Sequence, residues 1–229
     1  MGNKRQKVIF NKNHYEFAAW AEQKVVCGID EVGRGCLAGP LVTAAVILPP
    51  GKLSQEHLKD SKIMTELERL KAARWIEKRC WYGLGIVNHR IIDQYNIWQA
   101  TLLAMKRALL HAISSCPLEL NAILIDAMPL KLFDTSYGSL PVYHFPKGER
   151  KSSSIAAASI IAKVKRDELM TKFERIFPGY HLGEHKGYGT QKHTTAIREI
   201  SYSIIHRQSF LGKTLPPEED EYEEQQSLC

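Results

Sequence analysis

The apolar positions of this chain fall into short runs separated by longer, helix-spaced stretches. Residues 24–29 (KVVCGI) and 41–48 (LVTAAVIL) are continuous apolar, β-branched runs, the second closed by Pro49-Pro50-Gly51, and both predict buried strands. Thr65-Glu-Leu-Glu68 has capping-box spacing and predicts a helix to about Arg79. Residues 82–87 predict a third strand, and 89–115 a long helix with Ile92, Leu103, Leu110 and Ile113 among its buried positions. Strands follow at 121–125 and 141–145. Residues 153–177 repeat apolar positions at helical spacing until Pro178-Gly179, and a loop at 179–190 leads to a last helix near 191–200. Two early strands followed by alternating strands and helices predict an α/β domain with a mixed sheet flanked by helices.

Composition adds a charge argument. The 229 residues carry a net +6, unevenly placed. From Pro216 onward there are six acids and no Lys or Arg; without them 19 of the 25 acids remain against 31 bases, so the body carries +12. A body that basic predicts a polyanionic partner. The expected organisation is an N-terminal extension (1–23), a catalytic domain (24–211) whose small C-terminal helical part starts near 179, and an acidic, disordered tail (212–229). The five cysteines show no CxxC pair or finger spacing, as expected of reduced thiols. The apolar run at 37–50 is too short for a bilayer and MGNKRQKVIF lacks a leader's apolar stretch, so the expected location is cytoplasmic, with no membrane contact.

The candidate chemistry lies where strands end. Asp30 and Glu31 directly follow one apolar run, Asp126 another, and Glu149 a third after a Pro-Lys-Gly step. One strand-end acid is an ordinary loop residue. Three such sites, one a doublet, beside Gly33-Arg34-Gly35 in a basic body point to a cation that neutralises the cluster. Oxygen-only ligands favour Mg2+ or Mn2+ over zinc. Glycines at 33 and 35 let backbone approach a ligand, and Arg34 can pair with phosphate. The G-x-G-x-x-x-G spacing with Pro40 excludes a dinucleotide fold. His181-Leu-Gly-Glu184-His185 has zinc-protease spacing but lies among helix breakers, which argues against a zinc site. A loop bearing His185, Lys186 and Tyr188 suits a phosphate–sugar backbone, and equally a capped surface turn. Asp60-Ser61-Lys62 reads as a plain turn or a phosphate contact. Ser152–Ser154 read as a helix N-cap, Lys165–Glu168 as a solvated face, and Asp93 as favoured by a helix dipole.

Residues 28–48 (GIDEVGRGCLAGPLVTAAVIL), DSK (60–62), AILID (122–126), KGERKSSSIAAASIIAKVKRDELM (147–170) and HKGYGT (185–190) closely resemble bacterial ribonuclease HII, the type 2 ribonuclease H, over about residues 24–211. The resemblance implies a ribonuclease H-like fold with a small C-terminal helical part. It implies an endonuclease that cuts the RNA strand of RNA–DNA hybrids and single ribonucleotides embedded in duplex DNA. It places divalent Mn2+ or Mg2+ on Asp30, Glu31, Asp126 and Glu149, which double as the catalytic acids. It places 2′-hydroxyl reading on Gly33, Arg34 and Gly35 assisted by Tyr188. Ser61, Lys62, Lys147, His185 and Lys186 complete the expected substrate contacts, and a monomer is expected. Three positions depart from the pattern: Glu149 where Asp is usual, Cys36 where Pro is usual, and Ala127 where Gly commonly follows the third acid. A hybrid-binding module without cleavage and a DNA resolvase or transposase of the same fold are the alternatives.

Overall fold

Each apolar run predicted to be a strand is one. The computed structural model describes residues 12–54, 58, 61, 63–131 and 137–212. Its strands are β1 (Val25–Val32), β2 (Leu41–Ile47), β3 (Trp81–Val87), β4 (Leu120–Asp126) and β5 (Val142–Phe145), and its helices are α1 (His14–Ala21), α2 (Glu66–Arg79), α3 (His89–Ser115), α4 (Ser153–Ile176), α5 (Leu182–His185) and α6 (Gln191–Ile200). The sheet order is β3-β2-β1-β4-β5. The β1–β2 and β2–β3 pairs are antiparallel, whereas β1–β4 and β4–β5 are parallel. The parallel joins need long crossovers, and α3 and the connection after Asp126 supply them.

Strand alternation sorts the core into two layers. Cys27, Ile29, Ala45 and Ile47 face Met105, Ala108 and Leu109 of α3. The alternate residues Ala44 and Val46 pack with Ala72 and Ile76 of α2 and with Ala158 and Ile161 of α4. The start of α4 presses onto β1 at Gly28: a Cβ there would lie 2.1 Å from the Ser154 carbonyl carbon, so only glycine fits. This contact fixes the height of α4 over the strand that ends in Asp30.

Local signals explain the helix boundaries. The Thr65–Glu68 capping box forms at α2, and the Ser152 hydroxyl accepts the Ile155 N–H at the start of α4; each such cap contributes about 1 kcal/mol.

The structure corrects several expectations. The helix expected over 89–115 breaks at Asn96, whose φ is 66° and whose side-chain oxygen accepts the N–H groups of Trp98 and Gln99, so a second N-cap sits inside the run. The loop expected at 179–190 contains the single turn α5. The expected N-terminal extension, 1–23, carries a packed helix. Within it, α1 buries Ala19, and its buried Glu16 accepts hydrogen bonds from Ser152 Oγ at 2.6 Å and from the Ser154 N–H at 3.0 Å, holding the N-terminus of α4 from outside. The acidic tail from residue 213 lies outside the described residues. Among the described residues no helix is long and apolar enough to cross a membrane.

Candidate active site at the ends of two parallel strands

Asp30 and Asp126 meet because β1 and β4 run parallel in register. Ile29 pairs with Ile125, so the next residue on each strand is an acid, and both acids point to the α4 side of the sheet. Glu31 follows at the strand end. All three line one cleft of about 490 Å³, together with Gly33, Arg34, Gly35, Ser61, Arg69, Ser159, Lys163 and Tyr188. Six of the predicted site residues beyond the acids were Ser61, Gly33, Arg34, Gly35, Tyr188 and Lys62; the first five reach this cleft, and Lys62 lies outside the described residues.

The acids are held under electrostatic load. Burial and then the charge of Glu31 push the Asp30 carboxyl up to about 8, with Asp126 adding to the rise and a Ser159 hydrogen bond opposing it. Burial pushes Glu31 up to about 6 against the pull of Arg34, whose guanidinium lies 3.6 Å away. Asp30 Oδ1 accepts the Glu31 N–H at 2.8 Å, and Asp126 Oδ1 accepts the Gly148 N–H at 2.9 Å, which fixes both carboxylates. Glu31 Oε2 is buried without a hydrogen-bond partner, a costly arrangement that a cation would relieve.

Glu149 stands apart from the other acids. It is buried in a 3₁₀ turn, Gly148–Arg150, rather than at a strand end, and its side chain is not among those lining the cleft. The adjoining Gly148 N–H ties its backbone to Asp126. Among the described residues no three His, Cys, Asp or Glu side chains stand close enough to hold an ion without adjustment. Lys147 is exposed, at the left-handed entry to that turn.

The glycine turn is held by two fully buried arginines that donate to main-chain carbonyls. Arg166 bonds Pro40 O, Lys186 O and Ala38 O at 2.9, 2.8 and 3.2 Å. Arg207 bonds Arg34 O at 2.9 Å and Gly39 O through both Nε and Nη2; burial lowers its pKa to about 10. Gly33, at φ 95°, lies so close that a Cβ would meet Arg166 Nε at 2.2 Å. The reading of Lys165–Glu168 as a solvated face therefore fails at Arg166. Helical spacing puts it on the same buried side as Ala162 and Met170. Lys163 and Asp167 do pair at 2.9 Å.

Neither His185 nor Lys186 lines the cleft. The Gly187 N–H donates to His185 Nδ1 at 3.2 Å, and His185 Nε2 lies 2.8 Å from Tyr180 O, so both ring nitrogens serve the loop itself. Lys186 Nζ donates to Thr171 Oγ1 at 2.9 Å. Asp93 accepts the Gln208 and Ser209 N–H groups, both at 3.1 Å, and so clasps the C-terminal segment rather than only offsetting a helix dipole. Residue patterns missed Ser159, Lys163 and Arg69. The signal for the first two was polar side chains one helical turn apart within the otherwise apolar run AAASIIAKV. Ser61 and Ser159 hydroxyls lie 2.8 Å apart, and Arg69 bonds Ser61 O at 3.2 Å.

Two solved structures share this mixed-sheet fold. Ribonuclease H2 from Pyrococcus horikoshii OT3 superposes with a TM-score of 0.64 at 23% identity, covering 81% of this chain and 93% of its own. Bst-RNase HIII, solved in complex with Mn2+, gives 0.61 at 24% identity over 82% and 67%. Residues 27–213 match the ribonuclease HII family, and the chain belongs to that family. The ribonuclease HII of Lactobacillus delbrueckii subsp. bulgaricus is 41% identical over 208 residues, 90% of this chain and 77% of that one. The chain is thus an endoribonuclease acting on RNA–DNA hybrids.

Proposed function

We propose that this endoribonuclease cuts beside ribonucleotides by divalent-metal-assisted hydrolysis, in long hybrids and at single ribonucleotides within duplex DNA. The observation that carries the reading is that Asp30, Glu31 and Asp126 open into the same cleft as the Gly33–Gly35 turn and Tyr188. Chemistry and ribose recognition then share one cleft.

The donor set fits a hard cation. It consists of oxygens, one of them the buried, unpartnered Glu31 Oε2, and the mutual repulsion of Asp30, Glu31 and Asp126 is what a cation offsets. Asp30, Glu31 and Asp126 would hold it after adjustment of their side chains, with Glu149 joining by a further movement. Mg2+ or Mn2+ held there would supply an activated water and offset charge on the departing oxygen. Manganese is supported by the complex of the HIII relative.

The chain's own residues do the rest. Gly148 N–H and Glu31 N–H keep Asp126 and Asp30 aimed into the cleft. Arg34, Lys163 and Arg69 give the cleft positive charge against phosphates. The main chain of Gly33–Gly35 and the Tyr188 hydroxyl meet the 2′-hydroxyl, the group that separates RNA from DNA. Water attacks phosphorus, the bond to the 3′ oxygen breaks, and the products carry a 3′-hydroxyl and a 5′-phosphate. One chain holds every one of these residues, which supports a monomer as the working unit.

The test is a labelled duplex with one ribonucleotide beside a long hybrid, in magnesium and then manganese. Cleavage of both, with a loss of about 10³-fold or more in Asp30→Asn, is expected. Gel-shift binding without cleavage in either metal, or cutting of an all-DNA duplex, would sink the reading.

A further inference from the structure

The residues that hold Tyr188 in place form a directed chain of hydrogen bonds running through two buried histidines. The Ser203 N–H donates to His206 Nδ1 at 3.0 Å. A backbone N–H can only donate, so His206 Nδ1 must accept and its proton sits on Nε2. His206 Nε2 lies 3.1 Å from His193 Nε2, so His193 accepts there and carries its own proton on Nδ1. His193 Nδ1 then donates to Tyr188 O at 2.9 Å. Each link fixes the tautomer of the next. His193 is fully buried and His206 nearly so. Burial holds both near a pKa of about 4, which keeps both rings neutral as the chain of bonds requires.

Tyr188 needs such an anchor. It stands between Gly187 and Gly189, lines the cleft and is 40% exposed. Its main chain is fixed by the His193 bond, by the Thr190 N–H on the same carbonyl at 2.8 Å and by its own N–H on His185 O at 3.0 Å. The His185 ring stacks on His193 with centroids 4.3 Å apart, so His193 also backs the contact to His185 O. Arg207, the residue after His206, donates to Arg34 O on the opposite wall. Two consecutive residues thus steady the two walls of the ribose reader.

We propose that His193 and His206 are positioning residues that set discrimination for ribonucleotides, by fixing the main chain of Tyr188 without touching substrate. The proposal rests on the reading of the Gly33–Gly35 turn and Tyr188 as the 2′-hydroxyl contact. A histidine pair that only filled the core would affect all substrates alike. A relay to Tyr188 affects the ribose-dependent part of binding.

The test compares Kd for a duplex with one ribonucleotide and for the same duplex in DNA alone, in protein carrying Asp30→Asn so that nothing is cut. Adding His193→Leu should reduce the preference for the ribonucleotide duplex about fivefold, with the all-DNA Kd within about twofold. His193→Asn, whose Nδ2 can still donate to Tyr188 O, should keep most of the preference. If the leucine protein does not fold, His206→Phe decides: it keeps a ring but removes the donor, and should lower the preference about twofold, with His206→Gln restoring it. Unchanged preference, or equal weakening on both duplexes, overturns the proposal. Tyr188→Ala separates the layers. If it keeps the preference, the underlying reading falls and the relay with it; if it loses the preference while His193→Leu and His206→Phe keep it, only the relay falls.

Discussion

The carboxylate centre and the ribose-reading wall sit in one cleft but are built in opposite ways. The acids stand on strand ends, placed by register between β1 and β4, and the sheet holds Asp30 and Glu31 in a state their charges oppose. The reader stands on turns, several of whose residues adopt left-handed conformations: Gly33 at φ 95°, His181 at 57°, Lys186 at 54° and Gly187 at 81°. Nothing periodic fixes those turns. Buried arginines and histidines bonded to main-chain carbonyls do. A regular scaffold can carry unfavourable charge, whereas an irregular one has to be pinned residue by residue.

That contrast can be broken from either side. Its largest expected consequence is at the acids. Asp126→Asn keeps the Gly148 contact geometry but removes a charge, and cleavage of a hybrid should fall about 10³-fold or more with the denaturation midpoint unchanged or raised. A folded, fully active Asp126→Asn protein would show that the cluster is not the centre. On the other side, Arg207→Met leaves Arg34 O and Gly39 O without their donor. It should cost about 3 kcal/mol in urea denaturation, a stability loss that Asp126→Asn does not share. Equal stability of the two variants would erase the distinction.

The electrostatic load on the acids predicts a pH effect with a definite sign. Folding raises the Asp30 carboxyl from its ordinary 3.8 to about 8. Between those values the folded chain binds more protons than the unfolded one, so stability falls as pH rises through that window and levels off above it. The effect should be clear in chelator, shrink when Mg2+ is added, and largely vanish in Asp30→Asn. Thermal melts at several pH values, with and without magnesium, would show this; a flat profile in chelator would contradict it. The smallest expected effect is at Ala127, which holds φ 58° directly after Asp126. Ala127→Gly should stabilise by about 0.5–1 kcal/mol, measured in urea. A loss instead would mean that the turn is not strained.

The two regions also differed in how far they could be read from residues alone. Strand runs ending in Asp30 and Asp126 are local patterns, and a parallel pairing was enough to bring the acids together. Glu149 shared the pattern on paper but sits in a 3₁₀ turn after β5, because the chain needs Pro146-Lys147 to leave the sheet before α4 begins. Arg166 was hidden within four consecutive charged residues, although its spacing from Ala162 and Met170 gave its burial. His185 shares a loop and a motif with Tyr188, but its ring stacks on His193. Ser159 reaches the cleft only because α4 crosses β1. Turn geometry and long-range carbonyl contacts leave no periodic trace in a sequence.

Arg207 reaches Arg34 across 173 positions of chain. During synthesis the strands bearing Asp30 and Asp126 emerge long before that arginine does. A nascent polypeptide can therefore assemble its acids while one wall of the cleft is still being translated. Closing so long a loop is entropically slow relative to local helix formation. Selectivity would then be the last property this enzyme acquires on its way to the native state.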